Sequence, residues 1–442
     1  MKLIKCPYCG SDFIIESIYL LDRADIINGC VKCNCNRYPI INGILNIRVD
    51  LLRNSTIKLI EQGQESKATA RLLLISPVFF AILGYLDKII PCGKIISKFI
   101  LYIIQSLANH NLTEYEDTSR TFYSIQRDSF LKHRFSVQSI WTVYPFFTLI
   151  KRKGGKILNL GCGNGHLAFM ISKCANQKEQ ICIDKDFNSL YLARKYFVPD
   201  ATFICSDANY SLPFKDQIFS SIICSDAFPF IDSKAFVACE LKRVLKSSGF
   251  ILVSHLRNSQ FFDSSINSDI LALPPNTWRS FFGNYPKIKI VPEQKIIDDF
   301  FTNTLDLRSE FPESVLASYD PINIISCDDD SFFAIYQNIN NGFLNNKDNL
   351  IINPIYSVEF KGDEAILSKH YISEYFSKLY PLTESKLPSR YIIDAKILVP
   401  RTRRVIMEKN MSEGKINYIN DLMMKLIIIN VPMKYISDRD LG

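Results

Sequence analysis

Five cysteines crowd the first 35 residues of this 442-residue chain. Cys6 and Cys9 form a C-x-x-C turn in CPYCGSDF, and Cys30, Cys33 and Cys35 follow in GCVKCNCNRYPIINGI. A C-x-x-C turn aims two thiolates at one point in space. Four thiolates from two such turns make a tetrahedral zinc site, whose metal replaces a core that so short a segment cannot bury. A closed four-thiolate site has no open coordination position, so it predicts structure rather than catalysis. Spacing alone leaves the second pair open: Cys30 with Cys33 repeats C-x-x-C, whereas Cys33 with Cys35 is C-x-C.

A different chemistry begins at ILNLGCGNGHL, residues 157–167, where a short apolar run ends in Gly161, Gly163 and Gly165. This is a strand turning sharply into a helix. A dinucleotide fingerprint has G-x-G-x-x-G, but here the third position falls on His166, and the glycines run G-x-G-x-G. A P-loop, G-x-x-x-x-G-K-[ST], is absent. The loop therefore suits a ligand without phosphate, its amides and the helix start receiving a carboxylate. Asp184, ending the apolar run ICID, can accept both hydroxyls of a ribose. Asp207, ending FICSD, can accept from an adenine amino group, with Ala208 leaving room for the flat base. His255, at the end of GFILVSHL, is the general-base candidate by position, though a polar strand-end histidine is equally a structural residue.

These residues need a parallel sheet to carry them. From Gly155 onward strands and helices alternate, the signature of an α/β fold with helices on both faces of the sheet. KILNL, QICID, ATFICSD, SSIICSD and GFILVSHL are the first five strands, and KIKIVPEQ and SFFAIYQ are expected as the sixth and seventh, after a helical insertion holding Trp278. Ligands of such sheets bind at the carboxyl ends of the strands, where the glycine loop, Asp184 and Asp207 all fall. Residues 51–149 read as helices with apolar residues at helical spacing. Past the Asn-rich 338–349, YSVEFKGDEAILSKHY predicts a hairpin around Gly362-Asp363, and YIIDAKILV and LIIINVP continue in the same style. The expected organisation is a zinc ribbon at 1–48, a helical cap at 49–150, a Rossmann-like seven-stranded domain at 151–340 and a β-rich region at 341–442.

In order and spacing, ILNLGCGNG, ICIDKD, SDANYSLPFKDQIFSSIICSDAF and ELKRVLKSSGFILVS resemble the successive motifs of class I S-adenosylmethionine-dependent methyltransferases of the type 11 kind, over residues 155–253. The resemblance implies that Gly161, Gly163 and Gly165 shape the loop around the methionine part of S-adenosylmethionine. Asp184 would hold its ribose, Asp207 and Ala208 would frame its adenine, and Ser225 and Asp226 would face the methyl donor. Ser220 stands where the family has an Asp, and Ser247-Ser248 where it has a Pro-Gly turn. YPIINGI resembles the zinc-ribbon family of tRNA-methyltransferase activators, in which the second cysteine pair follows a glycine by a few residues. That resemblance implies Cys33 and Cys35 beside Cys6 and Cys9 as zinc ligands, with Cys30 as the alternative.

The acceptor is not written in these motifs. Composition is 47% hydrophobic and 22% charged, ordinary for a globular protein, and a net charge of +7 is modest at this length. SDAFPF stands where amino-methylating DNA enzymes carry D/N-P-P-Y/F, which disfavours that subclass. The apolar helices before the sheet and the Trp278 region predict a lid over a small lipophilic acceptor. RNA is the alternative, through the ribbon and the basic Arg401, Arg403 and Arg404, and a non-catalytic methyltransferase-like scaffold is a third reading. Many of the thirteen cysteines lie in apolar runs, which with no visible signal peptide points to a reducing, cytoplasmic setting. The segment RLLLISPVFFAILGYLDKII is too short and broken to span a bilayer and reads as a buried hairpin or a surface touching lipid. Oligomeric state is not legible.

Overall fold

The computed structural model describes residues 2–22, 25–49, 52–74, 142–261, 271–283, 285, 287–340, 344, 349–353, 356–361, 364–369, 396–398, 404–405 and 412–431. Most of the expected helical cap, Arg401 and Arg403 lie outside these residues. Strands β1 (Ile14–Asp22), β2 (Asp25–Lys32), β3 (Arg37–Ile41) and β4 (Ile44–Asn46) form the N-terminal ribbon. Helices α1 (Arg53–Glu61) and α2 (Glu65–Leu74) follow.

The α/β part begins with α3 (Phe147–Lys153). Its strands are β5 (Ile157–Leu160), β6 (Gln180–Asp184), β7 (Thr202–Cys205), β8 (Phe219–Ser225), β9 (Leu245–Leu256), β10 (Ile288–Pro292) and, after the short β11 (Thr304–Asp306), β12 (Ile322–Cys327). Between them run α4 (His166–Ile171), α5 (Phe187–Leu192), α6 (Lys234–Val244), α7 (Pro275–Ser280), α8 (Glu293–Thr302) and α9 (Glu313–Leu316). The sheet order is β7-β6-β5-β8-β9-β12-β10, parallel except that β12 runs against both its neighbours.

Alternation along each strand builds two cores, one per face of the sheet. Ile157, Cys182, Phe203, Ile223 and Leu252 face one side with α2, α3, α4, α5 and α8. Leu158, Ile181, Ile204, Ile222 and Val253 face the other with α6 and Trp278. Cys182, Cys205 and Cys224 are buried as small hydrophobes, and none of the described cysteines is in a disulfide. At Ser247-Ser248 the β9 strand bulges: Leu245 pairs with Phe219 and Phe250 with Ser221, so residues 246–249 bow out opposite Ser220.

The seventh strand differs from the expectation. SFFAIYQ supplies only a one-turn helix and β13 (Ile335–Gln337), which pairs with β11 outside the main sheet. The seventh position is taken by INIISC, which is β12, buried at all six residues. A strand wedged between β9 and β10 needs apolar side chains on both faces, and β13 offers one buried residue in three.

The ribbon does not stand apart. β4 pairs in parallel with β7, so β1 to β4 extend the sheet to eleven strands. A second tie joins Lys5 N–H to the Pro213 carbonyl and Lys215 N–H to the Leu3 carbonyl. In the C-terminal part, β14 (Leu350–Ile352) pairs with β18 (Arg404–Val405) and β19 (Ile428–Asn430). The hairpin around 362–363 is formed by β15 (Tyr356–Lys361) and β16 (Glu364–Lys369), with β17 (Lys396–Leu398) beside it. Residues of β14, β19 and α10 (Glu413–Met424) join the same buried cluster as α8. Among the described residues no helix is long and apolar enough to cross a membrane.

Candidate functional site

β5 ends at Leu160, and the chain turns through residues 161–165 into α4. Gly165 precedes the helix at φ +86°, and a Cβ there would lie 2.7 Å from Ala193 Cβ and 3.2 Å from its Cα. Only glycine meets both demands. A Cβ on Gly161 would strike Ala227 Cβ at 2.3 Å, so the loop is pressed against the end of β8. The amides expected to receive a carboxylate are largely bonded inside the fold. Gly161 and Cys162 donate to the Ile183 carbonyl at 2.8 and 3.0 Å, and Gly165 donates to the Cys162 carbonyl at 3.1 Å. The cause is the end of β6, which lies alongside the turn. Asn164 is buried in the loop, and its Oδ1 has no hydrogen-bond partner among the described residues.

Asp184 closes β6. Its Oδ2 accepts the Gly163 N–H at 2.9 Å and its Oδ1 the Asp186 N–H at 2.9 Å. Burial pushes the carboxyl up from its ordinary value, and the two N–H donors pull the other way. Asp207, just past β7, turns Oδ1 to the Asn209 N–H at 2.9 Å and the Asn209 Nδ2 at 3.0 Å. Its Oδ2 has no hydrogen bond among the described residues, and Ala208 beside it is partly exposed. Asn209 is a residue that sequence reading passed over. Its Oδ1 accepts the N–H groups of Asp232 and Ser233 at 2.9 Å each, fastening the Asp207 loop to the start of α6. The signal was an Asn two residues after Asp in DAN, a side chain placed for a local turn.

Ser225 ends β8, and Asp226 follows it. The Asp226 N–H donates to the Ser254 carbonyl at 3.1 Å, and Asp226 has φ of +54°. Ser254 Oγ, on β9 beside it, is buried with no hydrogen-bond partner among the described residues. His255 follows Ser254 and meets Glu293 of α8, Nδ1 to Oε2, at 2.9 Å. Glu293 was not legible as a partner, because 38 residues separate the two. Trp278 is not a lid. It is fully buried, its Nε1 donates to the Arg257 carbonyl at 2.8 Å, and it packs on Phe228 and Phe281. An indole with its single donor satisfied inside the core serves packing.

The glycine loop, Asp184, Asp207, Ser225, Asp226 and His255 thus share the carboxyl end of the sheet. Acceptors dominate there: the carboxylates of Asp184, Asp207 and Asp226, and the Asn164 Oδ1, which has no partner among the described residues. That set suits hydroxyls and amino groups, which S-adenosylmethionine offers, and suits phosphate poorly.

At the far end of the sheet, the sulfurs of Cys6, Cys9, Cys33 and Cys35 all lie within 4.8 Å of one another. Cys33 and Cys35 are 3.4 Å apart, and Cys6 and Cys35 3.7 Å, near the roughly 3.8 Å that four Zn–S bonds of ~2.3 Å at tetrahedral angles require. The donor set and spacing fit zinc. Cys30 stands outside the group, buried on β2 with its Sγ toward the Val31 carbonyl. Gly10 N–H to the Cys6 carbonyl and Cys33 N–H to the Asn36 carbonyl, both 2.9 Å, close the two turns, and Asn34 N–H to Ser11 Oγ at 3.1 Å joins them. Tyr8, inside the first turn, lies over Tyr38 and reaches Tyr210 of the Asp207 loop, ring centres 5.5 Å apart.

Residues 158–253 match the model of a methyltransferase domain family. Over 192 residues the chain is 28% identical to the ubiquinone/menaquinone biosynthesis C-methyltransferase UbiE of Wigglesworthia glossinidia brevipalpis, a match covering 40% of this chain and 76% of that one. The UbiE of Francisella philomiragia is 29% identical over 126 residues, 27% of this chain and half of the relative. Among solved structures, an S-adenosylmethionine-dependent methyltransferase of Thermotoga maritima matches 46% of this chain and 94% of its own, at 18% identity and TM-score 0.31. A complex of the Haloferax volcanii Trm112 methyltransferase activator with a methyltransferase matches 46% and 93%, at 14% identity and TM-score 0.32. The sheet is a Rossmann-like methyltransferase sheet. The chain carries a class I S-adenosylmethionine-dependent methyltransferase domain and is an enzyme of that class.

Proposed function

We propose that this enzyme moves a methyl group from S-adenosylmethionine to a small lipophilic acceptor, with an activated ring carbon as the methylated atom. The observation that carries this reading is the similarity over 192 residues to UbiE, a C-methyltransferase of quinone biosynthesis. In this reading Asp184 accepts from the ribose hydroxyls, Asp207 Oδ2 from the adenine amino group, and Asn164 Oδ1 from the amino group of the methionine part. Ala208 gives the base its room, and Gly161, Gly163 and Gly165 let the loop close over the ligand. Ser225 and Asp226 border the methyl group. When bound, S-adenosylmethionine supplies a sulfonium-activated methyl, and the protein's contribution is alignment and exclusion of water.

Cys6, Cys9, Cys33 and Cys35 hold a structural zinc in the same reading, and the ribbon at 1–48, the cap at 49–150, the catalytic region at 151–340 and the β-rich region at 341–442 are its working parts. Tritiated methyl transfer from S-adenosylmethionine into fractionated cell extract tests the acceptor. Label is expected in solvent-soluble material. Label confined to RNA would replace this acceptor with a nucleic acid and give the ribbon a part in binding it.

A further inference from the structure

One pair of titratable groups at the carboxyl end of the sheet, His255 and Glu293, stands outside the proposed cofactor contacts. Where β9 meets β12, Leu256 lies opposite Ile322 and Val253 opposite Ile324, so Ser254 and His255 together face the single residue Asn323. A β-bulge of this kind bends the strand and re-aims the side chain it carries, and such bulges concentrate next to active sites. His255 sits in it at φ +65°, the left-handed region that a residue with a Cβ seldom occupies. Asn323, fully buried, pins the distortion: its Oδ1 accepts the His255 N–H at 3.2 Å, and its Nδ2 donates to the Val291 carbonyl at 3.3 Å. The bulge lays the imidazole against α8, with Nδ1 2.9 Å from Glu293 Oε2. Glu293, its side chain wholly buried, is the first residue of α8, where the helix dipole favours a negative charge. His255 Nε2 makes no hydrogen bond to any described residue. The pair is at the reacting end of the sheet, since the Ser254 carbonyl holds Asp226 and the next residue, Ala227, touches the glycine loop.

We propose that His255 is the base of the methyl transfer, with Glu293 and Asn323 as its positioning residues, and that it takes its proton from a hydroxyl on the acceptor ring. The inference rests on the lipophilic-acceptor reading above. Glu293 accepts from Nδ1–H and so fixes the tautomer with a bare Nε2, and its charge balances the imidazolium that forms. The hydroxyl proton moves to Nε2, and the oxygen's electron pair is shared into the ring. A ring carbon then bonds the methyl carbon as the methyl–sulfur bond breaks, its electron pair staying on sulfur. The ring carbon's own proton leaves to water while the imidazolium returns a proton to the oxygen. The hydroxyl and the neutral histidine are both restored, with one proton released overall.

Nitrogen NMR of the full-length protein saturated with S-adenosylhomocysteine, followed across a pH series, reads the tautomer of the neutral ring directly. A protonated Nδ1 and bare Nε2 are expected, changing to protonated Nε2 in Glu293→Leu. Protonated Nε2 in the wild type, or no change in the variant, overturns the dyad. The lipid-soluble fraction of cell extract serves as acceptor probe for the second arm. His255→Asn should slow transfer by roughly 100-fold or more, with cofactor affinity by calorimetry within about twofold of wild type. Transfer at the wild-type rate by His255→Asn overturns the proposal. A wild-type enzyme that labels no lipid-soluble material instead sinks the acceptor reading, and the tautomer still decides the dyad.

Discussion

Asp184 combines two tasks in one side chain. It accepts two backbone N–H groups that hold the loop and, in the proposed role, two ribose hydroxyls. Asp184→Ala would confuse them by orphaning both amides. Asp184→Asn keeps one of the two acceptor oxygens, at the cost of one of these N–H bonds, and removes the charge from the hydrogen bonds to the sugar. Hydrogen bonds to a charged group contribute about 1.5–3 kcal/mol, so affinity for S-adenosylmethionine should fall roughly 10- to 150-fold in calorimetry. Melting without ligand should fall less than in Asp184→Ala, which orphans both amides. Affinity within a factor of two of wild type would remove Asp184 from the cofactor site.

The ribbon is the element that most rewards a test, because its metal set is a choice between Cys30 and Cys35 as the partner of Cys33. Cys9→Ser and Cys35→Ser should each abolish stoichiometric zinc, measured by release to a colorimetric chelator, because a tetrahedral site that loses a thiolate loses most of its affinity. Cys30→Ser should keep one zinc per chain, its sulfur being engaged on β2 and not in the cluster. Zinc lost from Cys30→Ser but kept by Cys35→Ser would reverse the assignment. Chelation should also reach the cleft. β4 is bound to β7, Ile47 N–H donates to the Cys205 carbonyl at 3.0 Å, and Arg48 reaches the Lys185 carbonyl at 3.0 Å, one residue from Asp184.

A second element-scale joint is Arg243 at the end of α6. It donates to both oxygens of Glu240, to Asp216 at 2.7 Å, and to the carbonyls of Phe214 and Leu212 at 2.6 and 3.0 Å. Glu240 is buried and also accepts the Leu212 N–H at 2.7 Å. Arg243→Ala would leave that carboxylate without its counter-charge and take a donor from the Phe214 and Leu212 carbonyls, the second of which keeps the Phe214 N–H at 2.7 Å. The expected loss is about 3–5 kcal/mol, read from chemical denaturation. A loss under ~1 kcal/mol would mean that the loop of residues 212–216 is held by something else.

For the whole molecule, the open issue is where the catalytic unit ends. Sequence places a boundary near 340, yet Leu350, Ile351, Ile428, Ile429 and Met423 lie in the same buried cluster as Ile297 and Phe300 of α8. The join begins inside the Asn-rich segment itself: buried Asn340 donates from Nδ2 to the Phe300 carbonyl at 2.7 Å, and its N–H goes to Asn303 Oδ1 at 2.9 Å. Removing residues 341–442 should therefore bare an apolar face and give aggregated protein by light scattering. A monodisperse fragment with wild-type affinity for S-adenosylmethionine would show the C-terminal region to be a separate domain.

What could be read from sequence is what short stretches encode by themselves. The glycine spacing, an acid at the end of each of two apolar runs, the first five strands and the hairpin at 362–363 all depend on residues close in the chain, and the structure forms these elements where the residues put them. The seventh strand depended on tertiary context. INIISC and SFFAIYQ are both short apolar runs, and only the double burial between β9 and β10 selects the first. The cysteine set likewise required the fold, because C-x-C and C-x-x-C are equally good turns until both knuckles meet in space. Trp278 read as a lid because hydrophobicity does not say which surface an indole covers. The His255–Glu293 pair was out of reach for the same reason: a bulge in one strand, a buried Asn on its neighbour and the first residue of a distant helix acquire a joint geometry only when the sheet closes.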